Sequence, residues 1–423
     1  MQLKSLFSKL IDDDLTALQF FQLAKFFSLL AVSVLLVKSG YSKEDVAQYE
    51  FMLWLAGAVS FFWVNALVQV FLSHQPKWSL DSQSQNLKSV FLIFQVLAAI
   101  SSLVAFITYK NITVSLFILF QTPANFNEYF FFCQRKSKQL LIYSMLTILT
   151  IVLFIAALSF YSFDIEYLLN ALVLGAFLRW SVTFFISFSF FNSKTIWPDK
   201  DFLTAFGLLS LSFILSGSAE FVNGWLVKFF ANESSFAEFR LGSKEIPIFT
   251  ILAATLSNSF ISKVSANKDL GIAQLKEKSK LYMHLLFPLS IIFVLASSLI
   301  YNLFLSSAYN KSADLFSILT LLTIPRLIFP QTIMHALNQQ KVITIISAVE
   351  LTLNITLAVI LFPLLGLKGI VLAIVLANFI EKLILLVYLK LNLGISPSTY
   401  IPFPIYISYS IFLMMTLSLK LMY

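Results

Sequence analysis

The sequence predicts an all-α polytopic membrane protein of about 12–13 transmembrane helices, and three observations predict it. Hydrophobic residues make up 59% of the chain and charged residues 12%, about half the charged share of a soluble domain. The mean hydropathy is +0.86, and the apolar residues fall in runs of about 20, the length that crosses a bilayer as a helix. The alternating polarity that a membrane barrel needs is absent. Across 423 residues there is room for a dozen or so such runs joined by short loops.

The elements follow in order. The stretch MQLKSLFSKLIDDDL places Leu3, Leu6, Phe7 and Leu10 on one helical face with Lys4 and Lys9 beside it, which predicts an amphipathic interfacial helix over 1–14 and no cleavable signal peptide. Apolar spans are expected at 16–38, 47–73, 87–108, 112–131, 139–160, 165–190, 202–227, 246–262, 281–304, 315–338, 343–363 and 369–390, with a thirteenth at 403–421. Lysine and arginine concentrate in QRKSK (134–138) and along 263–280. Positive loops stay in the cytoplasm, so the N-terminus is expected there. The 228–245 loop, with Lys228, Arg240 and Lys244, runs against this assignment, and an odd span count leaves the C-terminus outside.

The net charge of +8 is spread as single cations at the ends of hydrophobic runs, a topogenic pattern that argues against nucleic acid. One cysteine, Cys133, excludes an internal disulfide, and His74, His284 and His335 lack metal-ligand spacing; no cofactor is expected. A shift of about 190 residues sets DVAQYEF (45–51) beside SFAEFRL (235–241), each between the first two helices of a six-helix unit. Two parallel repeats are therefore expected, a bundle at 15–195 and another at 196–395, followed by an additional C-terminal transmembrane helix at 396–423.

SKEDVAQYEFML, FAEFRLGSKEIPIF, LFLSSAYNKSADLFSILT and NITLAVILFPLLGLKGIVLAIVLAN occur in this order along the chain. Together they resemble the polysaccharide transporter branch of the MOP superfamily, the Wzx-type flippases, over nearly the whole length. The resemblance implies two six-helix bundles forming a V around a central cavity. It also implies alternating-access transport of lipid-linked oligosaccharide, not an enzymatic reaction. Multidrug exporters of the superfamily commonly carry a carboxylate in the first helix; here the nearest acids, Asp12 to Asp14, lie at its surface end.

Within the spans the costly groups are few. Gln19, Gln22 and Lys25 make a polar stripe on the first helix, which should face the bundle interior because lipid would penalise it. Lys25 would there either meet an anionic ligand or pair with an acid such as Glu50. The resemblance favours the ligand, since this helix lines the cavity in relatives. Arg179 and Arg326 sit near mid-span in two further helices, and guanidinium forks suit phosphate; structural ion pairs are the alternative. Asn65 and Gln69 in span two and Asn125 in span four are amide groups suited to a sugar, as are the faces of Trp54, Trp63 and Trp225, although amides also join helices. Glu220 and Glu350 are candidate coupling-ion residues for a proton or sodium gradient, although Glu350 and Asn354, at i and i+4, equally suit packing against the neighbouring bundle. Pro247, Pro288, Pro325, Pro330 and Pro363 all fall in the C-terminal half, which suggests that the second bundle bends more during alternating access.

These features point to a flippase for an undecaprenyl-diphosphate-linked O-antigen or other surface polysaccharide repeat unit. It is expected in the bacterial inner membrane as a monomer, with membrane lipids and a polysaccharide polymerase or glycosyltransferase as partners. A cation-coupled multidrug exporter and a lipid II flippase are the rivals within the superfamily. A membrane-embedded glycosyltransferase or polymerase would need a larger extramembrane domain than any loop here provides.

Overall fold

The computed structural model describes residues 14–74, 80–125, 129, 131, 137–160, 164–191, 200–244 and 247–422. The expected surface helix and most of QRKSK lie outside the described residues. The described chain is helical throughout and divides into two compact units, Met1–Gly217 and Ser218–Tyr423.

The first unit holds α1 (Asp14–Lys38), α2 (Lys43–Ala58), α3 (Phe61–His74), α4 (Leu80–Tyr109), α5 (Ile112–Ala124), α6 (Ser137–Phe160) and α7 (Ile165–Phe191). It also takes the first half of α8 (Lys200–Phe230). The second unit continues with α9 (Glu233–Gly242), α10 (Pro247–Ala266), α11 (Lys268–Phe304), α12 (Asn310–Leu319), α13 (Thr323–Arg326), α14 (Pro330–Ala336), α15 (Gln340–Leu365), α16 (Leu367–Leu393) and α17 (Phe403–Met422). A helix or helix pair stands at each of the thirteen expected spans. Among the described residues seven helices qualify as spans by length and composition alone, and ten if each of three bent pairs counts once. α1, α5 and α10 occupy the remaining positions.

Both repeat motifs are helix starts. Before α2, the Ser42 hydroxyl accepts from the Asp45 backbone N–H at 3.1 Å, and the Asp45 carboxylate accepts from the Ser42 N–H at 3.0 Å, a reciprocal capping box. Before α9, Asn232 caps by accepting from the Ser235 N–H at 2.8 Å. Val46, Ala47 and Tyr49 are buried in the first motif, and Phe236, Ala237 and Phe239 at the equivalent places in the second. The short α9 occupies the loop whose positive charges run against the expected topology.

In the first unit α1 packs along α6, and α5 packs against both α4 and α7. Trp63, Phe71, Phe91, Phe94 and Phe202 form part of one core cluster. Trp54 and Trp63 are 1% and 3% exposed, so neither offers a face to a sugar. The Trp63 indole N–H instead reaches the Val59 carbonyl and the Ser101 hydroxyl, both at 3.1 Å. These bonds lie at a 49° bend between α2 and α3. Ser60 donates to the Ala56 carbonyl at 2.5 Å and Ser101 to that of Val59 at 3.2 Å, so side chains satisfy the carbonyls that the break frees. No proline is involved. A 47° bend interrupts α8 beside Gly217, and a 46° bend precedes Pro330, where Phe329 has a φ of 51°. Static bends therefore occur in both halves, and serine and tryptophan side chains take the place of a proline at the first.

Contacts near the helix ends respect the alternation of sides that thirteen spans require. Thr113 at the start of α5 donates to Asn170 near the start of α7 at 3.0 Å. Ser265 at the end of α10 donates to the Ala336 carbonyl at 2.9 Å. Lys276 near the start of α11 donates to the Ser398 carbonyl, just before α17, at 2.7 Å. Lys368 pairs with Asp314 at 2.8 Å. Each contact joins segments that lie on the same side if every span crosses.

Helix packing in the second unit depends on close backbone approach. A Cβ placed on Gly242 would lie 2.7 Å from the Ser312 carbonyl oxygen, where α9 crosses α12. Overpacking of this kind costs about 1–3 kcal/mol. Gly242→Ala is therefore expected to lower the melting temperature of the detergent-purified protein. Gly207→Ala, at a position with open space around it, should leave it unchanged or slightly raised by helix propensity.

Candidate functional site

Five helices of the first unit enclose a cavity of about 270 Å³. Lys25 and Ser28 reach it from α1, Tyr49 from α2, Gln121 from α5, Tyr143 and Thr147 from α6, and Arg179 from α7. Most of the remaining wall is apolar, including Leu29, Phe117, Phe154 and Leu178. The chamber thus joins two cationic heads to an oily lining.

Both cations engage neutral groups. The Lys25 ammonium donates to the Asn125 side-chain oxygen at 3.0 Å. Arg179 donates through Nη1 to the Gln121 side-chain oxygen at 3.3 Å and through Nε to the Tyr143 hydroxyl at 3.4 Å, and its guanidinium lies 5.7 Å from the Tyr143 ring centre. Gln121 and Asn125 are four residues apart, so one face of α5 and the turn that ends it present both amide acceptors. α7 is oriented by the next residue: the Trp180 indole donates to Gln95 of α4 at 3.0 Å, while Phe120 and Phe177 pack on its ring at 5.5 and 5.7 Å. With Trp180 fixed on α4, Arg179 is presented to α5 and α6.

Lys25, Arg179 and Asn125 therefore come together across about 150 residues of chain, with Asn125 as an acceptor for Lys25. Glu50 is fully buried and accepts from the Ser33 hydroxyl at 2.7 Å. The side chain of Gln22 lies outside the described residues, although its backbone belongs to α1. Asn65 and Gln69 share an exposed face of α3 and do not line the cavity. Tyr143, Thr147 and Ser28 join the site without having been expected there. The spacing of Gln121 and Asn125 is the available signal for the cation acceptors, whereas tyrosine in an apolar span carries none.

The second unit carries its own polar groups. Arg326 lines a small recess with Phe249, Phe316, Thr320 and Thr323. Glu350 of α15 accepts from the Asn378 side chain of α16 at 3.1 Å. Asn354, one turn along α15, is 2% exposed, and its side-chain oxygen and that of Asn378 are buried without a hydrogen-bond partner among the described residues. Glu381 pairs with Lys382 at 2.6 Å and accepts from Gln331. Lys382, mid-span on α16 and buried, is a further cation within the bundle; in sequence its signal is masked because it follows Glu381 directly. The side chain of Glu220 lies outside the described residues.

Three solved structures share this architecture. The lipid II flippase MurJ in an inward closed conformation aligns with a TM-score of 0.71 at 18% identity, covering 95% of this chain and 92% of that one. A mutant of the Vibrio cholerae MATE transporter VcmN aligns at 0.56 and 14%, covering 94% and 99%. A MOP superfamily transporter from Pyrococcus furiosus, described by a reversed polarity of its binding pocket, aligns at 0.54 and 15%, covering 91% and 97%. No family model matches the sequence, and no curated protein does. The chain is a multi-pass membrane protein with the fold of MOP superfamily transporters.

The Lys25–Asn125 bond generates a direct check. Loss of one partner of a half-buried charged hydrogen bond costs about 1–3 kcal/mol. Asn125→Leu is expected to lower the melting temperature in detergent. A cycle with Lys25→Met should show coupling of at least about 0.5 kcal/mol; additive effects would show that the bond contributes nothing.

Proposed function

We propose that the chain is a flippase that moves an undecaprenyl-diphosphate-linked oligosaccharide, an O-antigen or other surface polysaccharide repeat unit, across the bacterial inner membrane by alternating access. The single observation that carries this reading is the first-unit cavity, in which Lys25 and Arg179 meet amide and phenol groups inside a largely apolar wall. A diphosphate between a polar sugar and a polyprenyl tail has the complementary chemistry. An ammonium and a guanidinium bind phosphate through charge-assisted hydrogen bonds, the latter as a fork. The Asn and Gln acceptors orient both cations. Gln22, one turn from Lys25 on α1, and Asn125 are the polar groups proposed for the sugar; Asn65 and Gln69 do not line this cavity, and Arg326 is a further candidate cation on the second unit. The polyprenyl tail stays in the bilayer, so the protein need desolvate only the head.

A lipid II flippase is the second reading, favoured by the similarity to MurJ; its substrate carries the same diphosphate and differs in the sugar. A multidrug exporter for cations fits less well, because two cations in the cavity repel a cationic drug.

Resetting of the empty carrier is assigned to a proton or sodium ion at Glu350. Its carboxylate, with the side-chain oxygens of Asn354 and Asn378 close by in sequence and hydrogen bonding, supplies the hard oxygen donors that such an ion takes. Glu220 is a second candidate for this role.

Two outcomes are expected in a fluorescent flipping assay with proteoliposomes. Lys25→Ala and Arg179→Ala should each slow transport of an undecaprenyl-diphosphate sugar about 10- to 100-fold, the value of a lost hydrogen bond to a charged group. Lys25→Arg should keep more activity than Lys25→Ala; full activity of both alanine variants would refute the cationic site. Glu350→Gln should retain substrate binding while losing the stimulation that an imposed proton or sodium gradient gives the parent protein. A gradient response unchanged by Glu350→Gln would remove that residue from coupling.

A further inference from the structure

The 37-residue α11 is about 55 Å long, well beyond the roughly 30 Å hydrocarbon core. Its first part, 268–280, carries Lys268, Lys276, Lys278 and Lys280, and its remainder, 281–304, is apolar. The excess length therefore projects from the membrane on the side where 263–280 places its lysines.

α17 runs parallel to α11 and is fixed to it along its length. Lys276 donates to the Ser398 carbonyl just before α17 at 2.7 Å. His284 shares a 3.0 Å hydrogen bond with the Tyr409 hydroxyl, and Phe287 stacks on the Tyr409 ring at 5.4 Å and 10°. At the far end Lys420 reaches the Ser297 and Ser317 hydroxyls. Between the two helices an open groove of about 470 Å³ remains, lined by His284, Pro404, Ile405, Ser408, Tyr409 and Phe412.

The surface beside the groove runs from polar to apolar. Lys276, Lys280 and His284 follow one another at four-residue spacing on one stripe of α11, and His284 lies about 6 Å along the axis from Lys280. His284 and Tyr409 thus sit at the edge of the hydrocarbon, with lysines above them in the headgroup zone. Pro404 and Ile405, which precede Tyr409 on the parallel α17, line the lysine end of the groove, and the 56% exposed Phe412 lies below His284 and Tyr409. This is the order of phosphate, glycerol and acyl chain in a phospholipid, and basic pockets between helices attract the anionic lipids of a cytoplasmic leaflet.

We propose that the α11–α17 seam is a binding site for an anionic phospholipid of the surrounding bilayer. Lys280, with Lys276 behind it, holds the phosphate; His284 and Tyr409 contact the glycerol region; one acyl chain lies along Phe412 and Met415, both exposed beyond Tyr409. The site is separate from the Lys25 cavity and does not depend on what the protein transports.

The test uses the full-length purified protein, delipidated and then exposed to mixed vesicles of phosphatidylglycerol and phosphatidylcholine, with retained lipid counted by native mass spectrometry. The parent protein should retain phosphatidylglycerol about ten-fold over its share in the vesicles, since basic groups at the surface each contribute roughly a few-fold. Lys280→Ala with His284→Ala should abolish most of that excess. Ser408→Trp, which fills the groove without changing charge, should do the same, and it serves if the double variant fails to fold. Lys263→Ala with Lys278→Ala, at a neighbouring recess lined by Phe260 and Gln274, should leave the excess intact. Equal retention of the two lipids, an excess that survives the seam variants, or an equal loss in the Lys263 and Lys278 variant would overturn the site. Ser408→Trp dissolving a dimer of the parent protein would assign the seam to self-association instead.

Discussion

A full charge inside a membrane-spanning bundle has to be solvated by the protein itself, and this constraint organises the first unit. Isolated in hydrocarbon, Lys25 or Arg179 would cost several kcal/mol. Asn125, Gln121 and Tyr143 supply hydrogen bonds in place of water, and each acceptor then fixes the rotation of the helix that carries it. α5 must turn its Gln121 and Asn125 face toward α1 and α7. α7 must turn Arg179 inward, which the bond from Trp180 to Gln95 secures from the opposite side.

The second unit solves the same problem in another way. Glu381 is paired with the adjacent Lys382 and held by Gln331, so the two charges cancel within one turn of α16. A buried pair of this kind adds little net stability and is costly to break. Glu350 is met by an amide, the Asn378 side chain, at 3.1 Å. In the proposed flippase, one unit would offer positive charge to a ligand, and the other a carboxylate to an ion. The helix starts at Ser42 and Asn232 carry matching buried apolar positions in the two motifs, while Glu50 of the first stands where Arg240 stands in the second.

The spans were legible because a bilayer demands a long apolar run for each crossing, and this signal survives wherever loops are short. Lys25 was legible for the opposite reason, as an exception inside such a run. Its acceptor was not: Asn125 lies 100 residues away, and only tertiary packing joins them. Tyr143 was invisible because a tyrosine in an apolar helix has the same sequence signature whether it is filler or a hydrogen-bonding group. Trp54 and Trp63 misled for a related reason: aromatic faces suit sugars, but here they fill the core and, at Trp63, stabilise a bend. The bend between α2 and α3 was missed because it is made by Ser60, Trp63 and Ser101 and not by a proline.

What the two cations bind decides between a lipid-diphosphate carrier and every other use of this fold. The most direct measurement is equilibrium binding to the purified protein of undecaprenyl diphosphate against undecaprenol, which share a tail and differ only in the anionic head. Two charged contacts at about 1.5–3 kcal/mol each predict a preference of at least about 100-fold for the diphosphate, lost in the Lys25→Ala, Arg179→Ala double variant. Equal affinity for the two lipids, or tighter binding of a cation such as tetraphenylphosphonium, would contradict an anion-receiving cavity.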